Sequence, residues 1–257
     1  MIKIKTKEDI VKLREIGKIH NEILRTLGET CLPDRTTEDI EDRAIKLVEE
    51  AGLRPAFLNY RPKGAIRPYP ALTCVSVNEE IVHGVPNENP RTFKEGDMVS
   101  IDIGLSDGVL VTDAAVTVCV GRCSKEKNNL NWSTREALYK GIEAMRPGGY
   151  VGDIGAAISF FVRNETSFSV VKHLSGHGVG YSVHEDPFVP NVNKKGTGHR
   201  LVEGLVIAIE PMLTTGSGDI ILLDNGFTYA TKEGAPSAHW EHSVAVTDEG
   251  VKILTGD

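Results

Sequence analysis

The sequence predicts an α+β fold, and three observations predict it. Apolar residues recur at helical spacing in a few separate blocks, strand-like blocks are joined as hairpins instead of alternating with helices, and a short strand pattern in the first half recurs in the second. Helices grouped beside mostly antiparallel strands argue against repeated βαβ units.

The first helix is carried by Ile10, Leu13, Ile16, Ile19, Ile23, Leu24 and Leu27, with Thr6 and Asp9 as a capping-box-like start. A second is expected from about Thr37 to Ala51, where Ile40, Ala44, Leu47 and Val48 share a face and Gly52 supplies the stop. Arg61 to Pro70, rich in Pro, Gly and Arg, reads as a loop. Strands follow over Leu72 to Val77, Met98 to Ile103 and Val109 to Val120. The last two are joined across Ser106-Asp107-Gly108, so one hairpin presents both Asp102 and Asp113. Ser133 and Glu136 predict a capping box for a third helix ending at Pro147-Gly148-Gly149, and Val151 to about Asn164 reads as a fourth. From Val170 onward the pattern returns to strands.

At 257 residues the chain is long enough for a sizeable core, and one domain spanning 1–257 is expected. A net charge of −7 with scattered Lys and Arg argues against a nucleic-acid partner, which would need a basic stripe. The N-terminus, MIKIKTKEDI, has no signal-like apolar run, and nowhere do eighteen apolar residues follow one another. A cytoplasmic protein with no membrane partner is expected. Its four cysteines, Cys31, Cys74, Cys119 and Cys123, are too few and irregular for a disulfide framework, so free thiols are expected. Cys119 and Cys123 could be half a zinc site, but no partner pair exists for them.

The repeat concerns the chemistry. Glu95-Gly96-Asp97-Met98-Val99-Ser100-Ile101-Asp102 matches Glu203-Gly204-Leu205-Val206-Ile207-Ala208-Ile209-Glu210, each putting a carboxylate after an apolar strand. Asp113-Ala114-Ala115-Val116-Thr117-Val118 likewise matches Glu241-His242-Ser243-Val244-Ala245-Val246. Two short apolar strands can resemble each other by chance, but the charges fall at matching positions. Facing halves would bring four carboxylates together.

Singly, each of these acids could sit at a surface turn or a capped strand end. Jointly they pose a problem, because carboxylates inside apolar strands are costly to bury unpaired and no run of Arg or Lys offers four partners. A pair of divalent cations solves it, and one imidazole can complete a coordination shell without adding charge. His177, flanked by Gly176 and Gly178, is the candidate. His83, before Gly84, and His184, near Pro187, are placed to touch substrate and donate to a carbonyl oxygen as it gains charge. His20, His173, His199, His239 and His242 read as solvated or core-satisfied.

These residues resemble the methionine aminopeptidases over nearly the whole chain. Asp102 and Asp113 stand eleven apart, His177 and His184 seven apart, and Glu210 and Glu241 thirty-one apart, with Val77-Asn78-Glu79 and His83-Gly84 upstream. The resemblance implies a pita-bread fold, two pseudo-symmetric halves with a curved, mostly antiparallel sheet covered by helices. It implies two divalent ions, of Co, Mn, Fe or Zn, with Asp102 on one, Asp113 and Glu241 bridging, and His177 and Glu210 completing the other. Removal of the N-terminal methionine of nascent polypeptides, when the next residue is small, is the activity implied. Glu210 would move a proton to the leaving nitrogen, and His184 and His83 would contact the peptide. The short interval between Glu210 and Glu241 is similar to type I enzymes, acting in the cytoplasm as a monomer.

Tyr60, Tyr69 and Cys74 are the expected walls of the methionine pocket. The family's Gly-Tyr-x-Gly-Tyr-Pro run is replaced by Asn59-Tyr60 and Tyr69-Pro70 around a longer loop containing Lys63-Gly64. Val183 replaces an aromatic, and His239 replaces a usual Gln before the last strand. The rival readings are an X-Pro aminopeptidase or dipeptidase with the same five ligands, and a non-catalytic binding protein on the same fold.

Overall fold

Both N-terminal helices begin where the sequence supplies their caps. In α1 (Lys7–Thr30) the Thr6 hydroxyl accepts from the Asp9 N–H while the Asp9 carboxylate accepts from the Thr6 N–H. Thr36 and Asp39 repeat the arrangement at the start of α2 (Thr37–Glu50), which ends before Gly52 at φ +67. The computed structural model describes residues 2–61 and 64–256. Lys63 of the expected longer loop lies outside them.

The third helix starts earlier than its apolar pattern suggests. α3 spans Lys125–Ala144, with Ser124 as its cap accepting from the Lys127 N–H, and Ser133 lies buried inside it. The expected cap at Ser133 is corrected for a physical reason: the first turn is polar, so the buried stripe of Leu130, Ala137, Leu138 and Ile142 begins late and hides the true start. α4 spans Val151–Glu165, as the sequence predicts.

The strands in chain order are β1 (Arg54–Pro55), β2 (Thr73–Val77), β3 (Glu80–Val82), β4 (Met98–Ser106), β5 (Val111–Cys119), β6 (Ser169–Val170), β7 (Ser175–Gly178) and β8 (Glu185–Pro190). They continue as β9 (Val206–Ile209), β10 (Met212–Thr214), β11 (Ile220–Leu222), β12 (Tyr229–Thr231), β13 (Ser237–His239), β14 (His242–Thr247) and β15 (Gly250–Ile253). Every pairing among them is antiparallel. One sheet runs β1-β4-β2 with β5 on the open side of β4, and another runs β15-β14-β9-β7-β8. Two three-stranded sheets, β13-β10-β6 and β11-β12-β3, complete the fold.

The internal repeat has a structural counterpart. Gly96 and Gly204 both take left-handed backbone, at φ +86 and +83, in the turns that open β4 and β9. Gly96 N–H donates to Val120 O at 2.8 Å and Gly204 N–H to Val246 O at 2.9 Å, closing the two strand pairs alike. The halves are stitched together at β5 and β14. Glu241 N–H donates to Ala115 O at 3.0 Å, while the Ser243 hydroxyl accepts from Asp113 N–H and donates to Asp113 O.

Each half has its own core. Leu13, Leu24 and Leu27 of α1 and Ile40 of α2 pack with Ile101 and Ile103 of β4, and Leu138 of α3 and Ile154 and Ile158 of α4 pack with Ile207, Ile209 and Val244. Each such fully buried side chain contributes about 1.5–3 kcal/mol. β9 serves both, sending Val206 and Ala208 to the first core and Ile207 and Ile209 to the second, as strand alternation requires. No described helix is long and apolar enough to cross a membrane.

The cysteine expectation needs correcting in part. Cys31 and Cys74 are free and buried, but Cys119 and Cys123 form a disulfide. The turn after β5, through Gly121 at φ +60, brings their Cα atoms to 5.9 Å, within bridging reach. That pairing also removes them as zinc ligands.

Candidate metal centre

Strand register gathers the carboxylates. Asp102 of β4 lies opposite Ala115 of β5, and Ala115 is bridged from its other side by Glu241. Asp113 shares the face of Ala115, two residues along the same strand. Glu210 follows β9, where Ile209 pairs with His242, so the ladder delivers Glu210 and Glu241 side by side. All four are buried, at 7%, 3%, 8% and 2% exposure for Asp102, Asp113, Glu210 and Glu241.

His177 reaches this cluster from β7, which is squeezed between β8 and β9. A Cβ on Gly176 would stand 2.2 Å from Ala208 O, and one on Gly178 would stand 2.1 Å from Asp186 O. Only glycine on both sides lets the backbone come this close. His177 Nε2 lies 3.4 Å from Glu210 Oε1 and 3.8 Å from Asp113 Oδ2. Its Nδ1 sits 3.0 Å from the Gly178 carbonyl, which can only accept. The ring proton therefore belongs on Nδ1, and the Nε2 lone pair faces the carboxylates.

The electrostatics are unbalanced without cations. Among the described residues, the ion-pair contacts to these acids come only from histidines. Asp102 Oδ1, Asp113 Oδ1 and Glu241 Oε1 are buried with no hydrogen-bond partner. Burial pushes the Asp102 carboxyl up to about 7. Burial, and then neighbouring carboxylates, hold Asp113, Glu210 and Glu241 well above the usual range. Burial also pushes the His177 imidazole down to about 4, into the neutral form that binds metals. The donor atoms of Asp113, His177 and Glu241, and those of Glu210, His239 and Glu241, fall into two groups sharing Glu241, each spanning no more than 4.8 Å. Two adjacent acidic and imidazole groups of this kind fit a pair of divalent ions.

The cluster forms one wall of a cavity of about 390 Å³ that also includes every other residue singled out from the sequence, His83, His184, Tyr60, Tyr69 and Cys74. The long loop before Tyr69 does not displace its ends. Asn59 N–H donates to Tyr69 O at 2.9 Å and Tyr69 N–H to Tyr60 O at 2.8 Å, and both tyrosines line the cavity. The Tyr69 hydroxyl donates to backbone, within reach of Gly84 O at 2.8 Å and Thr73 O at 3.0 Å, and is spent on structure. His184 Nδ1 lies 3.0 Å from the Tyr60 hydroxyl, and its ring sits 4.2 Å from that of His177. The turn carrying His184 is anchored by Glu185, which accepts from Tyr181 N–H and Ser182 N–H and pairs with Lys5 at 2.7 Å.

Sequence reasoning missed three residues. Phe57 and Phe227 complete the apolar wall, Phe227 standing edge-on to Tyr69 at 5.2 Å with Arg67 over its ring. Their placement depends on chain segments distant in sequence, and no motif marks them. His239 is the third and corrects an expectation: it is neither solvated nor satisfied in the core. Fully buried, it places Nε2 3.8 Å from Glu210 Oε2 and 3.7 Å from Glu241 Oε2. The replacement of the expected Gln was the available signal. Val183, the other departure, packs into the first core and does not line the cavity.

A family model described as metallopeptidase family M24 matches residues 11–248. The chain is 42% identical to the methionine aminopeptidase of Aquifex aeolicus over 257 residues, covering 99% of this chain and 98% of that protein. The crystal structure of methionine aminopeptidase from Thermotoga maritima superposes with a TM-score of 0.93 at 39% identity, with full coverage of both chains. Prolidase from Pyrococcus furiosus shares the fold, with a TM-score of 0.74 at 22% identity, and this chain covers 99% of itself but 65% of that one.

Proposed function

The chain belongs to metallopeptidase family M24 and, within it, to the type I methionine aminopeptidases, and from that membership we infer that it removes the N-terminal methionine of nascent polypeptides whose second residue is small. The observation that carries the reading is four buried, unbalanced carboxylates and an imidazole lone pair converging on one wall of an otherwise largely apolar cavity. We assign Asp102, Asp113, His177, Glu210 and Glu241 as ligands of two divalent ions, with Co, Mn, Fe and Zn all compatible with this donor set. When bound, such a pair activates a water as nucleophile and polarises the scissile carbonyl.

The remaining steps belong to the chain's own groups. Glu210 accepts the proton of the attacking water and returns it to the leaving nitrogen, a role open to a carboxylate that lines the cavity beside His177. With the Tyr60 hydroxyl donating to Nδ1, the ring proton of His184 sits on Nε2, free to donate to the peptide carbonyl as it gains charge. His83 contacts the peptide from the opposite chain segment. Tyr60, Tyr69, Cys74, Phe57 and Phe227 enclose the methionine side chain. Residues 1–257 act as one catalytic unit, in the cytoplasm and as a monomer.

The reading is tested with the metal-loaded protein on Met-Gly-Met and Ala-Pro peptides. Release of methionine from the first is expected. Preference for the second, or no hydrolysis of either, overturns it in favour of an X-Pro peptidase or a binding protein. In the same assay His184→Ala is expected to lower kcat by about 10²–10³ with little change in KM, because its hydrogen bond strengthens only in the transition state. An unchanged kcat would remove His184 from the chemistry.

A further inference from the structure

The two imidazoles beside the carboxylates are not equivalent. His177 has a carbonyl to take its Nδ1 proton, which leaves Nε2 as a lone pair aimed at the acids. His239 has none. Both its ring nitrogens are buried and without a hydrogen-bond partner among the described residues. A neutral imidazole carries one N–H, and a buried N–H without an acceptor is costly, so the proton goes to the nitrogen that faces acceptors. That nitrogen is Nε2, which faces Glu210 and Glu241.

We propose that His239 is a positioning residue of the metal centre, donating its Nε2–H to the Oε2 atoms of Glu210 and Glu241. The inference rests on the ligand assignment above. Glu210 is faced on its Oε1 by the His177 lone pair and on its Oε2 by His239, so the two imidazoles bracket its carboxylate, one at each oxygen. At 3.7 and 3.8 Å the contacts are longer than hydrogen bonds. Side-chain rotation of under about an ångström closes either one to hydrogen-bond range. The His239 backbone does not need to move. Its N–H donates to the Thr117 hydroxyl at 2.9 Å, the same hydroxyl donates to its carbonyl at 2.7 Å, and it pairs with Met212 in β13-β10. A glutamine here, as the family resemblance leads one to expect, offers the same kind of donor, which makes the exchange chemically conservative.

The test compares the full-length wild type, His239→Gln and His239→Met as metal-free proteins titrated with Co(II), read by calorimetry and by visible absorption. His239→Gln is expected to bind two ions within about threefold of the wild-type affinity, with an unchanged Co(II) spectrum and near-normal kcat. His239→Met keeps the volume without the donor and is expected to bind about 10–100-fold more weakly, with kcat lowered and KM little changed. Wild-type affinity in the Met variant overturns the proposal. So does a His239→Gln protein that alters the Co(II) spectrum and loses an ion, since that makes His239 a direct ligand. Should His239→Met fail to give a cooperative melt, the Gln variant's spectrum and affinity decide alone. A wild type that binds no ions refutes the ligand assignment itself, an outcome distinct from either of these.

Discussion

Glu210→Gln is expected to lower kcat on Met-Gly-Met by about three orders of magnitude or more, while the folded protein keeps its melting transition. The exchange is isosteric, so the cavity wall keeps its shape, but the amide can neither take a proton nor hold one for the leaving nitrogen. Loss of a positioned acid-base group alone costs about 10²–10⁴ in rate. Here a ligand charge is lost too, because Glu210 is one of the four carboxylates assigned to the ions, its Oε1 3.4 Å from His177 Nε2. His177→Ala removes an imidazole whose Nε2 lone pair is directed to the acids by its Nδ1 contact with Gly178 O, and is expected to abolish turnover as well. Elemental analysis separates the two contributions. A Gln variant with two ions and a reduced kcat isolates the proton transfer, and one with a full complement of metal and kcat within tenfold of wild type would remove Glu210 from the mechanism.

Much of the candidate site is legible in the sequence because the carboxylates assigned to it are anomalous where they stand. Asp102 and Asp113 interrupt apolar strands, and a charge in such a place needs an explanation that the sequence can be searched for. The Ser106-Asp107-Gly108 turn and the duplicated strand pattern then supplied the pairing, since register follows from turn position and alternation. Helices α1, α2 and α4 were readable from their caps and spacing. The start of α3 was not, because its solvated first turn carries no apolar period to detect. His239 escaped for a different reason. Its position is fixed by pairing with Met212 and by the Thr117 hydroxyl, the latter more than a hundred residues away, and apart from standing where the family resemblance leads one to expect Gln it carries no local mark that separates it from a core histidine such as His20, bonded to Thr112 at 2.9 Å. Phe57 and Phe227 were hidden likewise, since a cavity wall is assembled from long-range contacts that one-dimensional patterns do not encode.

Stripped of metal, the folded protein is expected to lose stability as the pH rises above about 7, and divalent ions are expected to reverse the trend. Carboxyls in an unfolded chain ionise near pH ~4. In the fold Asp102 is pushed up to about 7, and Asp113, Glu210 and Glu241 are held well above the carboxylate range by burial and by one another. The folded state therefore keeps protons that the unfolded chain has released, so this contribution is fully present below about pH 4 and lost as the pH climbs through the folded pKa values. Asp102 gives up its share by about pH 7, and the other three go on losing theirs above it. The imidazoles act in the opposite sense. His177 and His239, pushed down to about 4 and about 3, favour the fold increasingly until the unfolded histidines are neutral. That effect is complete above about pH 6.5; from there the carboxyls set the trend up to about pH 8, where the buried thiols of Cys31 and Cys74, also held up by burial, begin to add to it. Each proton kept only by the fold costs about 1.4 kcal/mol per pH unit. Bound cations compete with those protons and favour the ionised acids, so the loaded protein should melt higher, and by a growing margin, as the pH rises. Calorimetric melts of chelator-treated and metal-loaded protein at pH 7 and pH 8.5 decide the matter. A metal-free melting temperature that stays level or climbs across that interval would mean that the four acids are already ionised and balanced by the protein alone, and the case for a resident metal pair would lose its electrostatic basis.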